Sequence, residues 1–206
     1  EEQLKRMADL LAHRGPDEEG LYGHQNVGLA HRRLSIIDLA SGRQPMLSED
    51  DTVCLVFNEE IYNFLELSKE LEKQGYHFRT HSDTEVLLRA YQAWGVGSLD
   101  RLQGMFAFAV WDSSQNRLFA ARDRLGKKPF FYYHDAERFV FASEIKAILA
   151  YSGVQREIDL LALDEYLSYS YIPAPRTVFK RIQKLLPGHY LLVDGNREPF
   201  ADTGIC

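Results

Sequence analysis

The apolar positions of this chain follow two rhythms, and the change from one to the other marks out its elements. Over residues 1–13, Leu4, Met7, Leu10 and Leu11 recur at helical spacing and predict one amphipathic helix, broken by Arg14-Gly15-Pro16-Asp17. Residues 27–30 and 35–38 are short strand candidates, and Ser41-Gly42 marks a turn. The run Val53-Cys54-Leu55-Val56-Phe57 predicts a strand that halts at Asn58, where two carboxylates follow. Helical spacing then returns. Residues 64–74 predict a helix stopped by Gly75, and Ser82, with Glu85 three residues on, opens a second helix that runs to Gly95. Residues 99–103 predict a short third helix.

The texture changes at residues 105–111, 117–122, 129–134 and 138–143, four strand-like runs separated by turn residues such as Asp112-Ser113-Ser114 and Leu125-Gly126. They predict an antiparallel meander. Helices are expected again over residues 144–150 and 160–169, and a last strand over 189–193, ending at Asp194-Gly195-Asn196. Helices and strands come in blocks, without strict βαβ alternation or an internal repeat. That predicts an α+β layered fold with mainly antiparallel sheets.

Composition narrows the function class. The chain has 206 residues, 45% apolar and 26% charged, enough to bury a sizeable core in one domain. Residues 1–195 are assigned to that domain, and 196–206 to a tail or the start of a linker. The net charge of -6, with Lys and Arg scattered, argues against a nucleic-acid surface. No apolar run has the length of a membrane span, so no membrane partner is expected. The chain opens on Glu1-Glu2-Gln3, with no secretory signal and no initiator Met, so the N-terminus is expected further upstream. The only cysteines, Cys54 and Cys206, are too few for a disulfide framework, and a cytoplasmic protein is expected.

Metal and phosphate chemistry find little support. His77 and His81 lie in a stretch that reads as extended, no cysteine pair has ligand spacing, and neither common glycine-rich phosphate cradle occurs. Cys54, inside an apolar strand, reads as a small core residue rather than a nucleophile. What remains is polar residues at element ends. Asn58 can offer its side-chain amide and residue 59 a backbone N–H, the paired donors an oxyanion hole needs. By spacing alone, a turn-capping Asn58 is the stronger reading. Arg33 could fork onto a carboxylate or form a structural ion pair. Asp83 could receive an ammonium group, or simply complement a helix dipole. Together, Arg33, Asp83 and Asn58-Glu59 suggest a clamp for the carboxylate, amine and side-chain amide of a free amino acid.

Seven motifs carry a family resemblance: HRGPDEEG (13–20), HRRLSIID (31–38), FNEEIYN (57–63), HSDTEVLL (81–88), LQGMFAFAVWD (102–112), RDRLGKKPFFYY (122–133) and FASEIKAIL (141–149). In this order and spacing, across residues 1–193, the chain resembles the glutaminase domain of glutamine-hydrolysing asparagine synthetases. These are class II glutamine amidotransferases among the N-terminal-nucleophile hydrolases. The resemblance implies a four-layer αββα sandwich. It implies hydrolysis of glutamine, with ammonia passing to a synthetase domain that uses ATP and Mg²⁺ to amidate aspartate, and no cofactor in the glutaminase domain itself. A homodimer is compatible with it.

Carried over position by position, the resemblance implies that Arg33 holds the glutamine α-carboxylate. Backbone groups of Leu34, Ser35, Ile36 and Ile37 line that side. Asn58 and the N–H of residue 59 form the oxyanion hole, Glu60 helps seat the substrate, and Asp83 takes the α-amine. The nucleophile it implies is a cysteine upstream of Glu1, so the chain as it stands is expected to be inactive. Glu59 departs from the family's glycine, and its charge or its side chain is expected to hinder the reaction. The final Ala201-Asp202-Thr203-Gly204-Ile205-Cys206 has no counterpart, and no S-G-G-x-D-S pyrophosphate loop occurs. Two other readings follow from these departures: a catalytically silent glutamine-binding or docking module, and an amidotransferase serving a different acceptor.

Overall fold

Strand formation around Val53 outruns its apolar stretch. In the computed structural model, which describes residues 1–34, 42–195 and 201–205 (the side chains at 59 and 201–205 excepted), this strand continues through the polar residues to Ile61. Its ladder runs unbroken from Val53 opposite Asp112 to Ile61 opposite Gly104. The expected halt at Asn58 is therefore corrected: cross-strand pairing carries the polar residues along as strand.

The strands are β1 (Glu18–His24), β2 (Val27–Arg33), β3 (Met46–Leu47), β4 (Val53–Ile61), β5 (Gly104–Asp112), β6 (Arg117–Arg122), β7 (Phe131–His134), β8 (Phe139–Ala142), β9 (Ile182–Lys184), β10 (His189–Asp194) and β11 (Ala201–Ile205). The helices are α1 (Glu2–Asp9), α2 (Phe64–Lys73), α3 (Asp83–Trp94), α4 (Ile145–Leu149) and α5 (Leu160–Tyr169). The short helix expected at 99–103 is a 3-10 segment at Gly95–Asp100. The strand expected at 35–38 lies outside the described residues.

A six-stranded sheet in the order β11-β10-β6-β5-β4-β3 forms one layer. A second layer comes in two pieces, the hairpin β1-β2 and the three-stranded β8-β7-β9. Every pairing is antiparallel. The predicted four-run meander is thus divided between two sheets. The turn after β6 makes the division. Buried Asp123 accepts from the backbone N–H groups of Leu125, Lys127 and Lys128, and the Arg122 guanidinium donates to the carbonyls of Gly126, Lys128 and Leu185. This network turns the chain out of the first sheet toward the second.

Three apolar clusters fill the spaces between four layers. One joins the six-stranded sheet to α2 and α3 through Phe57, Phe108, Phe119, Leu71 and Leu87. The next lies between the sheets, with Val56, Ala109 and Trp111 facing Leu29, Phe130 and Tyr132. The third seats α1 and α4 on the outer face of the second layer, through Met7, Tyr133, Val140 and Ile148. This is the αββα order that the resemblance implied.

Local chemistry sets the helix that borders the site. Ser82 is the N-cap of α3, its Oγ accepting from the Glu85 N–H at 3.3 Å. The Glu85 carboxylate turns instead to the N–H groups of Arg79 and Thr80, so only half of the predicted capping box forms. Asp83 is left as the first helical residue.

Candidate active site

β3 pairs only with Leu55 and Cys54 of β4, so from Val56 onward the edge of β4 away from β5 has no strand partner among the described residues. Backbone groups alternate sides along a strand, which makes this edge readable. The Phe57 N–H donates to Gln44 Oε1 at 2.6 Å, and the Phe57 carbonyl takes a hydrogen bond from the His31 ring. Four residues on, the Ile61 N–H donates to Asp83 Oδ2 at 3.0 Å. By alternation the N–H of residue 59 turns to this same edge, between the Gln44 and Asp83 contacts. The ladder, with residue 59 opposite Phe106, makes its backbone extended. An extended backbone at residue 59 does not require glycine.

Side chains alternate too. Val53, Leu55, Phe57 and Ile61 pack toward α2 and α3. Cys54, Val56 and Asn58 face the second sheet. Asn58 there lines a cavity of about 860 Å³ that runs from Ala107, Ala109 and Trp111 of the first sheet, past His31 and Arg32 of β2, to Leu4 and Met7 of α1. β1, β2 and all of β8 also border it. Each of the two pieces of the second layer therefore presents strand to the same cavity at the break between them. Cys54 lies in the wall of apolar side chains, its thiol pushed up to about 12 by burial, as expected of a core residue.

His31, which the sequence reasoning missed, ties the parts together. Burial lowers its pKa to about 4, against the opposing effect of its bond to Phe57, so it is a neutral ring at pH 7. Its Nδ1 is shut off from solvent with no hydrogen-bond partner among the described residues, as is Nε1 of Trp111 in the same cavity. The signal was present in HRRLSIID: His31 and Arg33 are two apart on a strand and share a face. Gln44 was missed because nothing local marks it. It borders a second cavity of about 400 Å³ with His31, Arg33, Glu18 and Arg43.

Arg33 is buried at the end of β2 and donates to Glu18 Oε2 at 3.1 Å. A structural ion pair is thus part of its role. Arg32, on the opposite face of β2, pairs with Asp9 and Glu19 and fixes α1 to the hairpin. Leu34 is exposed at the strand's end. Ser35, Ile36 and Ile37 lie outside the described residues, as does the side chain of Glu59. Asp83 has a raised pKa, chiefly from burial, with the charge of Glu60 adding to it and the N–H groups of Ile61 and Thr84 opposing it. A cation placed beside Asp83 and Glu60 would relieve both effects. The structure thus gathers Asn58, the residue-59 N–H and Asp83 along one stretch of β4, and joins Arg33 to them through His31 and Gln44.

Two of the sequence motifs buttress this region. Gly15 brings the 13–20 turn against β2; a Cβ there would come within 2.3 Å of the Arg32 carbonyl carbon. Glu144 draws in His13, Arg14 and Lys146, joining the end of α1 to the start of α4. Among the described residues, no group of three or more His, Cys, Asp or Glu is arranged to hold a metal ion. No described helix is long and apolar enough to cross a membrane. Chemically, the β4 edge offers hydrogen-bond donors for a developing oxyanion and an acid for an ammonium, and the end of β2 carries a guanidinium able to fork onto a carboxylate.

The sequence profile of the glutamine amidotransferase domain matches residues 1–201. The chain is 45% identical over 191 residues to asparagine synthetase [glutamine-hydrolyzing] 3 of Bacillus subtilis (strain 168), covering 91% of this chain and 31% of that protein. It is 43% identical to asparagine synthetase [glutamine-hydrolyzing] 1 of the same organism, covering 91% of this chain and 30% of the relative. The chain thus spans about a third of the length of these relatives. In fold it is similar to the glutamine phosphoribosylpyrophosphate amidotransferase of B. subtilis, with a TM-score of 0.67 at 20% identity, over 99% of this chain and 46% of that one.

Proposed function

We propose, from the premise that this chain belongs to the glutamine amidotransferase domain family, that it is the glutaminase unit of a glutamine-hydrolysing asparagine synthetase. The observation that carries the reading is the edge of β4 that has no strand partner among the described residues, where the residue-59 N–H lies between the Gln44 and Asp83 contacts and Asn58 lines the large cavity. In this reading Arg33 and the backbone of residues 34–37 hold the substrate carboxylate. Asp83, with Glu60, takes the ammonium, and Asn58 with residue 59 holds the oxyanion.

The nucleophile in this scheme is a cysteine on a segment preceding Glu1, seated in the cavity between β1-β2 and β8. Its sulfur attacks the glutamine amide carbon while its own α-amine takes the thiol proton. The carbonyl π pair moves onto oxygen, which is held by the two donors. As the tetrahedral intermediate collapses, the C–N bond breaks and the nitrogen leaves as ammonia with that proton. Water then adds to the thioester, giving glutamate and the free thiol. The ammonia passes to a synthetase unit using ATP and Mg²⁺, where aspartate is the acceptor, in a cytoplasmic enzyme.

The test is glutamine hydrolysis by the chain extended at its N-terminus through that cysteine, with glutamine binding measured by calorimetry. Turnover is expected, and Arg33→Ala and Asp83→Ala should each abolish binding. Unchanged binding in both variants would place the substrate elsewhere. Glu59→Gly in the active form should raise turnover, by removing a negative charge beside the developing oxyanion.

A further inference from the structure

α5 is a well-formed helix with its amphipathicity turned inside out. Asp159 caps it, accepting from the N–H groups of Leu161 and Ala162, and Ser170 ends it in the left-handed conformation. Ala162 is its one buried residue. Leu160, Leu163 and Leu167, at i, i+3 and i+7, form a ridge on the side away from Ala162. Leu160 and Leu167 are 73% and 75% exposed, and Tyr166 and Tyr169 extend the apolar surface around the helix. Elsewhere among the described residues, exposed large apolar side chains come singly, as Leu10 and Leu125 do, or as a pair, as Tyr62 and Leu65 do. A contiguous apolar ridge of this kind marks an interaction surface.

We propose that the α5 ridge is the docking face for the domain that follows this unit in chains of the relatives' length, an occupant presenting an apolar groove to Leu160, Leu163 and Leu167. The inference rests on the glutaminase reading above and adds the surface through which the two units meet. Length argues for this occupant. The matched part is 31% and 30% of the two Bacillus relatives, so more than two thirds of such a chain lies outside this unit and is available to cover the ridge. α5 also falls late in the matched stretch, with β9 and β10 the only strands between it and residue 195. Glu165 is already paired with Arg176, and Asp159 is occupied as the cap, so the exposed Asp164, one turn from Leu160, is the acidic group left beside an otherwise apolar ridge.

The protein translated from its complete reading frame, carrying Leu160→Glu with Leu167→Glu, provides the test. Limited proteolysis should separate the two units at least tenfold sooner than in wild type. Amide exchange over residues 160–169 should quicken at least tenfold, with exchange over α3 unchanged. Leu160→Ala with Leu167→Ala, which keeps helix propensity, should act in the same direction more weakly. Asparagine formed per glutamine hydrolysed should fall at least threefold, while glutamine hydrolysis stays within twofold. Unchanged proteolysis and exchange in both variants would overturn the proposal. So would a dimer-to-monomer shift in sedimentation with unit release unchanged, since a second copy would then occupy the ridge, and so would a reading frame that ends without a following domain. If wild type fails to hydrolyse glutamine, the glutaminase reading falls, while proteolysis and exchange still decide the docking.

Discussion

The two faces of the sheet around β4 and β5 have opposite linings. Toward α2 and α3 project Leu55, Phe57, Phe106, Phe108 and Val110, closed over by Leu71, Leu87 and Leu88. Toward the second sheet project Val56, Asn58, Ala107 and Ala109, which border a cavity of about 860 Å³ that continues past β2 and β8 to α1. One face spends its volume on its own side chains, and the other keeps space. The small side chains of Ala107 and Ala109 leave open what Phe106 and Phe108 fill on the opposite face. The lesson is that a single strand can serve stability and chemistry at once, by assigning them to opposite sides.

Core substitutions should separate the faces most sharply. Phe108→Ala, which empties a fully packed site, should cost about 3–5 kcal/mol in urea unfolding. Val56→Ala, at the cavity wall, should cost on the order of 1 kcal/mol, less than its volume suggests, because the space beside it is already open. Equal losses would mean the two faces are packed alike. Next, Asn58→Ala in the active form should lower kcat for glutamine hydrolysis by roughly 10²–10³-fold, with little change in Tm. A loss of stability without a loss of turnover would make Asn58 structural.

A smaller effect tests the His31 end of the site. Its folded pKa of about 4 lies below the ordinary 6.5, so the unfolded chain binds the proton first as pH falls. The contribution is therefore full above pH 6.5 and is lost between pH 6.5 and 4, by about 3 kcal/mol in all. His31→Gln keeps a donor for the Phe57 carbonyl, and should flatten this part of the pH–stability curve relative to wild type. Parallel curves would show that the ring is not held neutral by burial. Smallest of all, Ser82→Ala should cost about 1 kcal/mol by removing the α3 cap, on the packed side of the sheet and without touching Asp83. A larger loss in glutamine binding than in stability would mean that the cap also sets Asp83.

Legibility along the chain followed how local each cause was. α2 and α3 could be read from their stop and cap signals, and β6 and β10 as strand-like runs ended by turn residues, because those signals act within one element. The motif FNEEIYN drew attention to Asn58 and residue 59, and HSDTEVLL to Asp83. β3 and β9, of two and three residues, carry no period worth the name and exist only because a longer neighbour pairs with them. Gln44 reaches Phe57 across 13 residues, and nothing near Gln44 announces the contact. Nor could the run 105–143 reveal that its hairpins belong to different sheets, since that depends on Asp123 and Arg122 gathering backbone groups from as far as Leu185.

The sequence by itself determined the helices, the large-small alternation of Phe106-Ala107-Phe108-Ala109, the sign of each candidate charge and the order of the motifs. Tertiary structure decided that β4 runs on through its polar residues, which of its edges stays open, where His31 and Gln44 meet it, and that α5 keeps its leucines outside. The division has a physical cause. Propensity and periodicity act between residues a few positions apart, whereas strand partners, edges and cavities are set by contacts among residues remote in the chain.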